Sequence, residues 1–228
     1  MRGLLNAGSL EIKNHIETLN SIDIFPTPSG SAGTRIHLTL LAGCEAINQQ
    51  TLPSASEVAH TFAHASLMGA RGHQGVPFAQ WFRGFARGLG EKSTVNATDF
   101  ANAMSEAAAT AHRTYIRPIE GEMWTVAKEA AEEAERTATD NENICQVLQV
   151  STIRAKYSVE NTAQSISLLQ EMGVVHSGSL ALFFFFNGMC RHLGTEFIVS
   201  SPEIIPKPEV AELIRQFNSR VYAEAGEN

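Results

Sequence analysis

Clustered basic residues are missing from this chain. Its 228 residues hold 17 Lys and Arg against 24 Asp and Glu, a formal net charge of −7. Binding nucleic acid takes concentrated cations that release counterions from phosphate, so that partner class is excluded. The densest charge run, Lys128 to Arg136, is mostly acidic and fits a solvated helix face. Cysteine is scarce too. Cys44, Cys145 and Cys190 lie far apart with no CxxC pair, which excludes a disulfide frame and points to reduced thiols. No apolar h-region opens the sequence. The most apolar run, Leu180–Phe186, is far shorter than the roughly 20 residues that span a bilayer. The expectation is a cytoplasmic protein with no membrane span. Strand signals are also lacking: Phe197–Val199 is the best alternating run, and it is too short.

What is present is helical periodicity over an ordinary globular composition, 43% hydrophobic and 18% charged, enough for one sizeable core. Phe100, Ala103, Met104, Ala107, Ala108, Ala111 and Tyr115 share one helical face within Asp99–Tyr115. Leu5, Ile12, Ile16 and Leu19 repeat the pattern in the first segment, and Val210, Leu213, Ile214, Phe217 and Val221 in the last. Ser54-x-x-Glu57 and Thr139-x-x-Glu142 read as capping boxes, and Pro208 suits a first helical position. The fold expected is all-α, with about eight helices and no sheet.

Three loops rich in turn formers separate these helices: Pro26–Gly33, Gly69–Gly75 and Gly173–Ser179. Singly, each reads as a helix–helix connection; three together suggest more. From Gly194 to Pro208 the prolines and paired serines read as a strap or linker. The domain organisation expected is a helical domain over 1–194, then a linker and C-terminal helix over 195–228.

The stretch Leu19-Asn20-Ser21-Ile22-Asp23-Ile24-Phe25-Pro26-Thr27-Pro28-Ser29-Gly30-Ser31-Ala32-Gly33-Thr34-Arg35 resembles L-N-x-L-N-V-F-P-V-P-D-G-D-T-G-T-N. That pattern marks the ADP-binding L subunit of dihydroxyacetone kinases and, closer still, the N-terminal domain of bacterial fatty acid kinases. Leu67–Val76 is similar to the family's L-M-G-A-R-G-N-S-G-V, and Arg83–Leu89 follows in register. Pro118–Val126 resembles P-V-E-G-T-x-L-T-V, and Gly173–Ser179 resembles G-V-V-D-A-G-G. Order and spacing hold from about Leu4 to Leu193. The resemblance implies a closed antiparallel bundle, or barrel, of about eight helices. Loops at one end would hold ADP or ATP, with magnesium between the phosphates and two aspartates.

This sequence departs from that pattern where the chemistry lies. The two aspartates are Ser29 and Ser31, and the asparagine is Arg35. Magnesium wants hard, usually anionic oxygen ligands. Hydroxyls bring no charge, and a guanidinium places a permanent cation beside the metal position. The second block has His73 and Gln74 for Asn-Ser, the third Glu122 for Thr, and the fourth His176 for Asp and Ser179 for Gly. Phosphoryl transfer rests on positioning and on neutralising phosphate charge. A competent kinase site is therefore not expected, and neither a metal nor a cofactor. The phosphate-site positions by resemblance are Ser29, Ser31, Gly33, Thr34, Arg35, Gly72, His73, Gln74, Gly121, Glu122, His176 and Gly178. Two alternatives stay open at this end. Asp23, Glu120 and Glu122 could build a different cation site, or Arg35 could hold phosphate directly.

Other features have bland readings beside sharper ones. His60 and His64 are four residues apart, but Thr61 stands where a metalloprotease needs Glu, so they read as surface or packing residues. His73 and His176 could bind a transition metal as a pair or simply fill vacated space. Cys44 and Cys190 read as small buried apolar residues. Leu180–Phe186, with four consecutive phenylalanines, leave no polar stripe for two turns. They belong to a central helix buried all round, or they line an apolar interior that takes a lipid, as some relatives do.

Two functional readings follow. One is a degenerate family member, a pseudokinase-like binding or regulatory module acting through a partner similar to the kinase's substrate-carrier protein. The other is a working ATP-dependent phosphotransferase on dihydroxyacetone or a carrier-presented fatty acid. A structural subunit with nothing in its pocket is a third, blander class.

Overall fold

In a computed structural model, residues 1–194, 200, 202, 204 and 206–226 are described, the last five by backbone alone. Eleven helices and no strand form among them: α1 (Arg2–Asn14), α2 (Ile16–Ser21), α3 (Ala32–Asn48), α4 (Ala55–Met68), α5 (Gly72–Leu89), α6 (Ala97–His112), α7 (Met123–Asp140), α8 (Ile144–Ser165), α9 (Ser167–Met172), α10 (Ser177–His192) and α11 (Pro208–Gly226). The all-α expectation holds, and the count of about eight is met by the long bundle helices. Periodicity merges α1 with α2, whose break at His15 leaves the apolar face continuous. It also passes over the short α9.

Local chemistry sets most of the ends. Ser54 and Glu57 form a capping box at α4, as expected. Asn96 with Asp99 forms another at α6, which the Ser/Thr-x-x-Glu pattern does not pick out. Thr139-x-x-Glu142 starts nothing. Thr139 lies in the last turn of α7 with its hydroxyl donating to the Glu135 carbonyl at 3.0 Å, an internal bond that a helical threonine can always make. α8 starts instead from Asn143, whose side chain accepts the Cys145 N–H at 2.9 Å. Pro208 opens α11 as expected. The glycine loops are shorter than their composition suggests, because α3, α5 and α10 begin inside them at Ala32, Gly72 and Ser177.

Each of α1, α3 to α8 and α10 packs on the next, and α10 returns to α1, closing a ring of eight. Neighbours joined by short loops run antiparallel, so every second helix starts at the same end. α3, α5, α7 and α10 all begin at one end of the barrel, with the loops 22–31, 69–71, 113–122 and 173–176 in front of them. This parity gathers the chemistry in one place.

Within the ring α10 packs against α1 and α8 and also touches α2, α3 and α7, and every residue from Ser177 to Cys190 is buried. Phe184 stacks on His15 with centroids 3.9 Å apart. Phe185 meets Phe82 edge-on at 5.0 Å, and Phe186 meets Trp81 at 5.6 Å. These rings face different partners, which is why the sequence shows no polar stripe: every side of the helix has a neighbour. Phe62, Phe78, Phe85 and Phe100 complete the aromatic filling.

α11 packs back onto the bundle. Val210 is fully buried, and Asn218 Nδ2 donates to the Ser29 carbonyl at 3.3 Å. The Ile214 side chain sits where a Cβ on Gly30 would stand, 2.6 Å from that point, and Gly30 also has a positive φ of 62°. Phe197–Val199 lies outside the described residues. Among the described residues, no helix is long and apolar enough to cross a membrane.

Candidate functional site

Asp23 organises this end of the barrel. Its side chain is fully buried in the loop between α2 and α3. Oδ2 accepts from the Ser29 hydroxyl at 2.6 Å, from the Ser31 and Ala32 N–H groups at 3.0 and 3.1 Å, and from Gln74 Nε2 at 3.3 Å. Oδ1 accepts from Gln74 Nε2 at 3.1 Å and from the Ser177 hydroxyl at 3.2 Å. The carboxylate thus caps α3 in place of Ser31, whose own side chain makes no cap. It also ties α3 to the first turns of α5 and α10. A carboxylate offers about four lone-pair sites, and these donors use them all. An anion at convergent helix N-termini is electrostatically at home.

The two serines complete the same network. The Ser29 and Ser31 hydroxyls are 2.8 Å apart. Ser29 spends its proton on Asp23, so Ser31 is the donor between them. Gln74 relays outward: Nε2 faces Asp23, and Oε1 accepts from Arg35 Nη1 at 3.3 Å. Arg35 has no carboxylate within ion-pair distance among the described residues, which leaves a partly exposed cation beside Gly72.

Beside this network opens a cavity of about 580 Å³, walled by Phe25, Pro26, Val76, Tyr115, Ile116 and Met123, with His73, Gln74, Thr114, Glu122 and His176 among its polar groups. His176 Nδ1 accepts the Ser179 N–H at 3.1 Å and so caps α10. That bond requires an unprotonated Nδ1. Burial holds the imidazole neutral, pushing its pKa down to about 4 against the pull of Asp23, with His73 pushing the same way. Burial lowers His73 as well. Glu122 accepts the Ile119 N–H at 2.9 Å, and burial pushes its carboxyl up nonetheless. Tyr115 is raised by burial and by Glu122, so its phenol stays protonated.

The fold therefore gathers most of the residues singled out in the sequence. Gly72, His73, Gln74, Glu122, His176 and Gly178 line the cavity, with Ser29, Ser31 and Arg35 in the adjoining network. Gly72 and Gly121 have φ of 61° and 95°, a region that favours glycine. The Gly121 carbonyl accepts the Ser179 hydroxyl at 3.0 Å. Two residues point elsewhere. Thr34 pairs with Asn20 on α2 (3.0 and 3.2 Å). At Gly33 a Cβ would lie 2.5 Å from the Ile16 carbonyl, so this glycine serves helix packing. His60 and His64 are exposed on α4.

Motif matching undervalues three groups. Asp23 sits where the family pattern has Asn, Ser177 is unremarkable in sequence, and Tyr115 reads as a core-face residue but lies beyond α6 in the cavity wall. The acid at 23, standing among serines at 29 and 31, was the available signal.

The donor set does not suit a dication. Asp23 is saturated by donors, the serine hydroxyls are neutral and engaged, and Arg35 and the α3 N–H groups add positive potential. Among the described residues, no group of three or more His, Cys, Asp or Glu side chains is arranged to hold a metal ion.

Comparison with known proteins bears on this site. Residues 26–191 match the family model described as the DAK2 domain. An uncharacterized protein of Staphylococcus saprophyticus is 31% identical over 217 residues, covering 95% of this chain and 39% of its own length. One from Staphylococcus aureus strain USA300 is 30% identical over 217 residues, 95% of this chain and 40% of its own. The chain thus spans about two-fifths of the length of these relatives. The crystal structure of the dihydroxyacetone kinase from C. freundii in complex with AMP-PNP and Mg2+ covers 83% of this chain and 33% of its own, with TM-score 0.65 and 16% identity. The native form of that kinase gives TM-score 0.59 at 15% identity, over 83% of this chain and 34% of its own. At that identity the likeness shows the fold.

Proposed function

The chain belongs to the DAK2-domain family, and from that premise we propose that it is a binding module that takes a nucleotide-like ligand without magnesium and does not transfer phosphate. One observation carries this reading: the oxygens at positions 29 and 31 are hydroxyls, Ser31 donating to Ser29 and Ser29 to an internal carboxylate, Asp23. A metal centre is a cation held by anions. Here the centre is an anion held by hydroxyl and amide donors, and it joins the same loops. A dication entering it would strip Asp23 of its donors while gaining only one carboxylate.

The cavity keeps the size and apolar walls of a small-molecule site. Its polar groups are neutral histidines and a carboxyl with raised pKa, so a flat, weakly polar ring such as a nucleobase suits it. Arg35, hydrogen-bonded to Gln74 at the edge of the Asp23 network, would meet the phosphates directly. The module would act through a protein that presents or senses the ligand, with residues 1–194 as the ligand domain and 195–228 as its connection. The phosphotransferase reading lacks the anionic oxygens it would need at 29 and 31.

Calorimetric titration with ADP, with and without saturating magnesium, tests the proposal. Equal affinities are expected, with a loss in Arg35→Asn that deepens at lower salt. A gain of about tenfold with magnesium, about 1.4 kcal/mol, would overturn it.

A further inference from the structure

Where α5 packs on α6, three arginines surround one carboxylate. Arg83 and Arg87 lie one turn apart on α5, and Arg113 follows the end of α6. Glu106 Oε1 accepts from Arg87 and, at 3.2 Å, from Arg113. The Thr110 hydroxyl oxygen accepts from the same two guanidinium groups at 2.8 and 3.0 Å. Arg83 has only Gln80 Oε1, at 3.5 Å, and no carboxylate in ion-pair range among the described residues. Three guanidinium groups against one carboxylate leave a local charge of +2, in a chain whose total is −7.

These arginines line a depression of about 420 Å³ whose remaining wall includes Val76 and Thr114. The same two residues line the main cavity, so the depression borders the apolar wall of that cavity. It shares nothing with the Asp23 network.

We propose that this depression is an anion site for a phosphate monoester. A monoester dianion carries nearly two negative charges at neutral pH, which matches the local surplus. Guanidinium forks bind phosphate oxygens through paired, charge-assisted hydrogen bonds. Two of the forks are held side by side in advance by Glu106 and Thr110, each through one Nη2, and their other N–H groups have no protein acceptor among the described residues. An arrangement built for stability would pair each arginine with its own carboxylate. This one shares a single carboxylate between two arginines and gives the third none. The ester's organic part has Val76, 39% exposed, as its apolar bed. The phosphate is that of a small organic ester or of a phosphorylated side chain. The site stands whether or not a nucleotide enters the main cavity.

Titration of the full chain in phosphate-free, low-salt buffer tests this, with phenyl phosphate and a phosphoserine peptide as separate probes. Saturable binding tighter than about 1 mM is expected for at least one, and the tighter probe identifies the source. Arg83→Gln should weaken it by about tenfold, with an unchanged melting curve because the side chain supports no packing. Glu106→Gln should tighten it by a few-fold, since removing the carboxylate raises the local charge. Arg35→Asn should leave it unchanged. Absence of saturable binding, insensitivity to Arg83→Gln, or weakening in Glu106→Gln would overturn the proposal.

Discussion

Asp23 accepts from five groups while fully buried, so Asp23→Ala leaves hydroxyl and amide donors of three helix starts without an acceptor. Removing one member of a buried ionic network costs about 3–5 kcal/mol, and urea denaturation should show a loss in that range. A loss below about 1 kcal/mol would mean that the loops hold together without it. His176 gives a pH signature. Unfolded, its imidazole takes a proton near 6.5; folded, only near 4. Between those values the unfolded chain binds more protons, so stability present at neutral pH is lost as pH falls through the window, by about 3 kcal/mol in full. Glu122 is shifted the other way and contributes in the opposite sense. The readout is therefore an acid-dependent loss that is smaller in His176→Asn than in the wild type, with the remainder carried by His73 and His37, which burial also lowers. Identical pH profiles would remove the neutral imidazole from the account.

At the scale of single helices, caps explain what periodicity cannot. The Asn96–Asp99 box satisfies N–H groups that α6 would otherwise leave orphaned. Asn96→Ala should therefore destabilise by about 1 kcal/mol. Thr139→Ala removes only a hydroxyl bond to the preceding turn and should stay within about 0.5 kcal/mol. Chemical denaturation of the two variants side by side decides this, and a larger loss at Thr139 would return the helix start to that position. The sequence pattern picks out Thr139 and passes over Asn96, because it records residue types and spacing but not which backbone N–H groups lack partners. Most of the bundle was legible because apolar periodicity reports burial directly. The break at His15 was not, since a turn that preserves the apolar face leaves no trace in the spacing.

For the molecule as a whole, the ring of eight helices raises the question of what fills its middle. Phe184, Phe185 and Phe186 each meet a different aromatic partner, and α10 is buried on every side. An unfilled apolar space costs about 24 cal/mol per Å³ in core-truncation series, and large rings avoid that cost as a lipid would. Native mass spectrometry of freshly purified protein, beside a denatured control, should give the mass of the polypeptide alone. A stoichiometric fatty acid or phospholipid would show that the aromatics line a chamber instead of plugging it.

By itself the sequence determined the all-helical class and three turn-forming loops, while its family resemblance implied a fourth loop and placed serines at the two aspartate positions. The class and the three loops follow from residue type and spacing, which can be read along one chain. Only the tertiary structure decided where the charge went. In sequence Asp23 was an acid near the motif, open to a different cation site, yet in the fold it is the anion that ties α3, α5 and α10 together. Arg83, Arg87 and Arg113 became one patch only when α5 met α6. Both depend on helices distant in sequence starting or lying side by side, and the parity of an antiparallel ring, not local periodicity, sets which ones meet.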